Sequence, residues 1–258
     1  MIRTAVKIAY LGNDFSGSQI QPGFRTVEGD VLSDLRTICR ISDEELDLRL
    51  ASRTDRGVNA LGNVAVFNTP LEDLEILLRA LNAVSKGIFY RSSAVVDPSF
   101  NPRYADRRRY RYVLPTAGVD IVAAKKCAAL FIGEHDFRQF CRADGKQTCL
   151  TIDSIDVWSG DGTIVLDFTA RYYLWNMIRR ITAAVVSVGR GDSAISDVQG
   201  ALEGNDVTFG LARPDALTLL DVEYDDLGFI TPADDLFDGR VQEELFRDKL
   251  RSSFFASL

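Results

Sequence analysis

Apolar and polar positions along the chain alternate between two periods. Alternation with a period of two, in which successive side chains face opposite ways, predicts strands over 2–10, 47–54, 62–69 and 87–96. Between them, apolar residues recurring every three or four positions predict helices over 27–40 and 71–84. The resulting order, β-α-β-β-α-β, is that of a ferredoxin-like unit. Pro98 and Pro102 interrupt the pattern. They mark a boundary near 97–104 and suggest an N-terminal domain over 1–100 and a C-terminal domain over 101–258. The second half repeats the order, with strands over 108–114, near 150–158, over 163–171 and over 216–224, and helices over 120–131 and 174–188. An extra helix is predicted over 196–203. The expected fold class is α+β, with two ferredoxin-like units side by side forming a central cleft. In the helix predicted over 174–188, Leu174, Ile178, Ile181, Val185 and Val188 form an apolar stripe, and Arg179 falls away from it, so periodicity alone makes Arg179 exposed.

A chain of 258 residues, 46% of them hydrophobic, can bury roughly three quarters of its unfolded surface. No apolar run approaches the roughly 20 residues that cross a bilayer, and the N-terminus runs straight into the first strand. A soluble, cytoplasmic protein without membrane association is expected. Cys39, Cys127, Cys141 and Cys149 are scattered without a C-x-x-C pair and His135 is the single histidine. Buried, reduced thiols are therefore expected and no metal site. His135 is expected in a loop, without a catalytic role.

The net charge of -7 argues against a general nucleic-acid binder, but its distribution is uneven. Acidic residues collect over 43–47, 72–75, 221–226 and 234–244. Arg103, Arg107, Arg108, Arg109 and Arg111 crowd one segment with Tyr104, Tyr110 and Tyr112 interleaved. Such a stripe can contact phosphates and stack bases, which makes these arginines candidate substrate-binding residues. On an extended strand Arg107, Arg109 and Arg111 share one face, and Arg108, Tyr110 and Tyr112 the other.

Arg53-Thr54-Asp55-Arg56-Gly57 places one carboxylate between two guanidinium groups at the end of a predicted strand. Neighbouring positive charge favours the carboxylate form, Gly57 permits a tight turn, and the junction of strand and loop is a usual place for chemistry. Alone, the string also fits a surface ion cluster closing a hairpin.

The wider context is more specific. Residues 51–64, from Ala51-Ser52-Arg53-Thr54-Asp55-Arg56-Gly57-Val58 to Val64, resemble the catalytic loop of the tRNA pseudouridine synthase A family, approximately G-R-T-D-x-G-V-H-A-x-G-Q-V. Asn101 to Tyr112 is similar to the family's F-x-A-R-x-x-x-x-R-x-Y-x-Y segment, and Tyr173 to Ile181 to its F-x-x-x-M-V-R-x-I helix. Tyr10, Gly17 to Gln21 and Arg25 to Gly29 resemble its opening stretch. The matches run in order from residue 2 to about 224. The departures are Asn59 where His is usual, Ser18 where an aromatic is usual, and Ser52 where Gly commonly precedes the Arg.

The resemblance implies a cofactor-independent isomerase that converts uridine to pseudouridine in the anticodon stem-loop of tRNA, around positions 38 to 40, and acts as a homodimer. It assigns Asp55 as nucleophile, Tyr110 as the active-site tyrosine and Arg179 as the partner of Asp55. Arg53, next to Asp55, is the group expected to fill the place of a flipped base. Two other classes compete. An RNA-binding module without catalysis would give Asp55 no purpose and lacks the aromatic signature of such modules. A nucleoside hydrolase would want a second carboxylate or a metal-binding Asp cluster, and neither is evident.

Overall fold

The computed structural model describes residues 1–233 and 235–256. In chain order the elements are β1 (Ile2–Tyr10), α1 (Val27–Cys39), α2 (Asp43–Leu46), β2 (Arg49–Leu50), β3 (Asn59–Thr69), α3 (Leu74–Val84) and β4 (Phe89–Val96). Then follow β5 (Arg107–Pro115), α4 (Ile121–Ala129), β6 (Gly133–Asp136), β7 (Cys149–Ile152), β8 (Ser154–Gly160), β9 (Thr163–Ala170), α5 (Met177–Arg190), α6 (Ile195–Leu202), β10 (Leu217–Glu223) and α7 (Asp235–Ala256). This is an α+β fold. One mixed sheet runs β4-β1-β3-β10-β5-β9-β8, with β2 beside β3, and β6 pairs β7 separately.

All pairings in the large sheet are antiparallel except one. β3 and β10 run parallel over a short register in which Thr218 faces Asn59 and Leu219 faces Ala60. Sequence patterning suggested a cleft between two sheets. Instead the halves share one sheet, and the main concavity lies beside this join.

Local chemistry sets the element ends. Thr26 caps α1 by accepting from Gly29 N, and Asp120 caps α4 through Val122 N and Ala123 N. Asp73 accepts from Glu75 N and Ile76 N, so α3 starts at Leu74 and not at residue 71. α5 starts at Met177 because Asn176 takes a left-handed conformation, φ 62°, which stops helical hydrogen bonding upstream. The strand expected over 150–158 splits between the two sheets at Asp153. Among the elements not anticipated are α2, β6 and α7, and His135 sits on β6, its Nε2 3.1 Å from Ile132 O. Of the acidic run over 234–244, Asp234 lies outside the described residues.

One apolar core runs under both halves. It takes Val31 and Leu35 from α1, Leu77 and Leu81 from α3, Ile178, Ile181 and Val185 from α5, and Val64, Val66, Leu166, Phe168 and Leu219 from the sheet. The segment after β10 returns to the first half, where Ile230 exchanges two backbone hydrogen bonds with Ser93 on β4. α7 is tied beside α3 through Arg240, which donates to Asn82 O at 3.0 Å and lies over the Phe89 ring. Cys39, Cys127 and Cys141 are buried and free, whereas Cys149 is free but exposed, contrary to expectation. No described helix is long and apolar enough to cross a membrane.

Burial raises the phenols of Tyr10, Tyr90, Tyr110, Tyr112, Tyr173 and Tyr224 above their ordinary value. Unfolded tyrosines lose their protons near pH 10 while the folded ones keep them, so the unfolded state binds fewer protons there and stability falls as pH rises. Denaturant midpoints should be level on the acid side of about pH 9 and drop steeply beyond about pH 10. A midpoint that holds level across that alkaline range would contradict the burial of these phenols.

Candidate active site

The segment carrying Asp55 was expected to be a strand as far as Thr54, but β2 ends at Leu50. Beyond it, side chains replace the ladder. Asn63 Oδ1 accepts from Ser52 N at 3.1 Å and from Val64 N at 2.9 Å, while its Nδ2 donates to Ser52 O at 2.9 Å and to the Tyr10 hydroxyl at 3.2 Å. The Tyr10 and Thr54 hydroxyls bond at 2.9 Å, and Ser18 Oγ accepts from Thr54 N at 2.9 Å. Ser18 is buried, so it is a pin beneath the loop and no stacking surface. The loop then turns back, Val58 N donating to Asp55 O at 3.1 Å. Gly57 supplies φ +86° at the turn, and Gly12 lies so close that a Cβ there would stand 2.3 Å from Val58 O.

Asp55 therefore projects from a fixed turn. Arg179 Nη1 lies 3.3 Å from its Oδ2, with side chains 14% and 36% exposed, so the carboxylate stays open to the cavity while its partner is largely covered. Arg179 is aimed by two further bonds, Nε to Ala212 O at 2.8 Å and Nη1 to Asn176 Oδ1 at 3.2 Å. Periodicity placed Arg179 on the exposed side. It lies in the first turn of α5, where the helix ends at the cavity. The sequence neighbours Arg53 and Arg56 form no ion pair with Asp55 among the described residues. Arg53 lies instead against Gln19, whose amide oxygen accepts from its Nε at 3.1 Å and Nη2 at 3.2 Å.

Tyr110 is buried on β5, its ring edge-on to Tyr173 at 5.4 Å. Burial raises its phenol, outweighing the lowering influence of Arg108, so Tyr110 is neutral at ordinary pH. The Tyr173 hydroxyl is buried without a hydrogen-bond partner among the described residues.

These groups line one cavity of about 550 Å³. The N-terminal half contributes Gln19, Arg53, Asp55 and Arg56, and the C-terminal half contributes Arg103, Arg108, Tyr110, Arg142, Lys146, Tyr172, Tyr173, Trp175 and Arg179. The arginine stripe divides by strand face. Arg107 pairs with Glu223 and Asp225, Arg109 with Glu223 at 2.7 Å, and Arg111 with Asp167 at 2.7 Å, and none of the three lines the cavity. They are neutralised by acids on β9, on β10 and just beyond it, so the uniform basic stripe read from sequence is corrected.

Arg108 is buried, its Nε donating to Ser52 Oγ at 3.0 Å, Nη1 to Arg171 O at 2.6 Å, and Nη2 to Ala51 O at 3.2 Å and Arg103 O at 3.0 Å. Its donors are committed to holding the segment that leads to Asp55 against β5, which corrects its expected phosphate contact. Arg103 does reach the cavity. Arg56 was expected beside Asp55 but lines the cavity without pairing with it, and Arg142, Lys146, Gln19, Tyr172 and Trp175 were not anticipated as lining residues. Arg142 and Lys146 sit in an irregular segment, 141–148, where no periodicity reports orientation. Arg53, Arg56, Arg103, Arg142 and Lys146 form no ion pair among the described residues, so unneutralised positive charge gathers at the cavity. Asn59 bridges the halves: its Oδ1 accepts from Gly12 N at 2.9 Å, and its Nδ2 donates to Asp215 O at 3.0 Å.

One cavity on an α+β scaffold with a mixed sheet thus brings a carboxylate held by an arginine together with exposed rings and cations unpaired among the described residues. A sequence profile described as tRNA pseudouridine synthase matches residues 127–225. The protein named tRNA pseudouridine synthase A of Pyrococcus abyssi is 37% identical over 98% of this chain and 97% of its own length. Proteins of the same name from Thermococcus sibiricus and Methanosphaerula palustris are 40% and 37% identical, covering 88% and 86% of this chain and 87% and 80% of their own lengths. The chain belongs to the tRNA pseudouridine synthase A family and is an isomerase that forms pseudouridine in tRNA.

Two outcomes follow from this geometry. Asn63→Ala strips partners from Ser52 N, Ser52 O and Tyr10, and should cost about 3 kcal/mol in urea unfolding. A loss within experimental error would show that water replaces the amide. Second, log affinity for tRNA falls with log salt in proportion to the phosphates neutralised. Arg56→Gln or Arg103→Gln should flatten that slope by about one unit each, and Arg109→Gln should leave it unchanged, since Arg109 already has a carboxylate. The reverse ranking would return phosphate contact to the paired face of β5.

Proposed function

We propose that Asp55 is the nucleophile of uridine isomerisation in the anticodon stem-loop of tRNA, around positions 38 to 40. The observation that carries this reading is the juxtaposition of a half-buried Asp55 carboxylate, open to the cavity, with Arg179 at 3.3 Å in a cavity that also holds Tyr110 and Arg53. The N1–C1′ bond of the nucleotide breaks with participation of the carboxylate, at C1′ or on the pyrimidine ring. The uracil turns within the cavity, a C5–C1′ bond forms, the C5 proton leaves and N1 gains one. Arg179 holds the carboxylate ionised and aimed. Tyr110, a neutral phenol, packs on the uracil ring and passes a proton without serving as a phenolate base. No cofactor enters the balance. A uridine within a stem must leave its stack to reach Asp55, at a cost of a few kcal/mol, and Arg53, steadied by Gln19, takes its place.

The same reading includes a homodimer, in which one RNA spans both copies, and a cytoplasmic location. The architecture is read as two ferredoxin-like units, over 1–100 and 101–258. Its support is the strand order: with only the strands of the large sheet numbered, each half from its own start, β4-β1-β3-β2 and β10-β5-β9-β8 both read 4-1-3-2. Arg103 is assigned to the RNA backbone, and Arg107, Arg109 and Arg111 can join it only by exchanging their carboxylate partners for phosphate.

The test uses RNA with tritium at C5 of the target uridine. Asp55→Asn keeps size but loses charge and nucleophilicity, and should release no tritium from paired or unpaired targets. Arg53→Ala should be slow on a paired uridine and recover in part on an unpaired one. Appreciable turnover by Asp55→Asn would remove Asp55 from this role, and free uracil among the products would favour a hydrolase. Light scattering of the RNA-free protein should report a dimer at micromolar concentration. A monomer would count against the shared-RNA arrangement.

A further inference from the structure

The wall of the cavity built by 142–146 and 172–175 carries two cation-on-ring pairs that the isomerisation chemistry does not use. The Arg142 guanidinium lies 4.2 Å from the centroid of Trp175, and Lys146 Nζ lies 5.7 Å from that of Tyr172. Arg142 N donates to Trp175 O at 2.8 Å, so the two chain segments are tied at the point where guanidinium and indole meet. Trp175 is 44% and Tyr172 39% exposed, although both line the cavity. Neither Arg142 nor Lys146 pairs with a carboxylate among the described residues.

Exposed rings covered by unneutralised cations suit one class of ligand. A planar guanidinium and an indole both stack a nucleobase, while an ammonium beside them meets phosphate. Stacking of a base is worth more than an exposed cation-ring contact, so a base can extend the pair or displace its guanidinium. Position narrows the ligand further. Trp175 directly precedes Asn176, whose side chain holds Arg179, which in turn holds Asp55. A base seated on Trp175 is therefore a near neighbour of the base at Asp55, and a cavity of about 550 Å³ exceeds what one pyrimidine ring occupies.

We infer that Arg142 and Trp175, with Lys146 on Tyr172, form a stacking subsite for the unpaired nucleotide adjacent to the target uridine. Its base lies on the Arg142–Trp175 pair, and its phosphate meets Lys146. The inference rests on the cavity being the uridine site proposed above. It makes these residues determinants of which uridines are accepted, since a neighbour that stays in its helix cannot occupy the subsite.

Trp158 and Trp175 are the only tryptophans, and Trp158 lies on β8 outside the cavity, so Trp158→Phe makes Trp175 the sole indole reporter. A short single-stranded RNA is used in two forms, with its target uridine flanked by ordinary nucleotides or by abasic riboses. The intact RNA should quench Trp175 emission. The abasic form should bind about tenfold more weakly by anisotropy and leave the emission unquenched. Trp175→Ala and Arg142→Ala, checked for fold by circular dichroism, should each weaken the intact RNA and have little effect on the abasic form. Equal quenching by both RNAs, or equal weakening of both by either variant, would overturn the subsite. Tritium release by the unsubstituted protein on the intact RNA is measured in parallel. Its absence would count against the proposed chemistry, while the quenching comparison would still decide the subsite.

Discussion

Everything at the cavity depends on how a buried, irregular stretch of backbone keeps its polar groups satisfied. Between Leu50 and Asn59 the chain has left β2 and not yet entered β3, and after Ala51 N, which donates to Val64 O at 2.8 Å, it has no ladder to bond to. An unpartnered buried peptide group costs about 1 to 3 kcal/mol, enough to move such a loop if several were left open. Asn63 and Arg108 prevent this from opposite sides. The amide of Asn63 copies the strand that is absent, and the guanidinium of Arg108 collects the carbonyls of Ala51, Arg103 and Arg171. Arg108 has no carboxylate partner among the described residues, and its charge is spread over those carbonyls and a hydroxyl. A planar fork can do this and an ammonium cannot, which is why lysine is a poor substitute at such a position.

Much of the fold was legible because periodicity reports burial. α1, β1, β4, β5 and β9 lie within a residue or two of their expected places. Errors occur where side chains take over from the backbone pattern. The strand over 47–54 was overextended because Asn63 mimics a ladder that sequence cannot reveal. The helix over 174–188 starts late because Asn176 takes a left-handed conformation just before Met177, which periodicity does not report. Asp55 was singled out from its own string of residues and then by family resemblance, and Tyr110 and Arg179 by resemblance, for Arg179 against the local periodicity; all three line one cavity. Arg107, Arg109 and Arg111 were misjudged because their neutralising partners, Asp167, Glu223 and Asp225, are remote in sequence and adjacent only once the sheet has formed. Arg142 and Lys146 escaped notice for a related reason: an irregular segment carries no period.

The charge distribution now has a physical form. A protein with a net charge of -7 repels polyanions at long range, and salt within the cell limits that repulsion to about 8 Å. On the outward face of β5 each arginine is cancelled by an acid, so that face offers little to a phosphate. Around the cavity Arg179 is paired with Asp55, but Arg53, Arg56, Arg103, Arg142 and Lys146 form no ion pair among the described residues. Positive charge without an ion pair thus gathers where chemistry is proposed, and the paired face of β5 adds little to it.

The short parallel contact between β3 and β10 also has a consequence for how the protein is made. Asn59 and Asp215 are 156 positions apart, and Arg179 and Asp55 are 124 apart. Each half of the sheet can form from nearer contacts while the ribosome is still at work, but the cavity cannot. At about 5 to 20 residues per second, the loop with Asp55 emerges on the order of ten seconds or more before the strand that completes its surroundings. A nascent chain thus presents a scaffold without a complete cavity until the residues of β10 have been made.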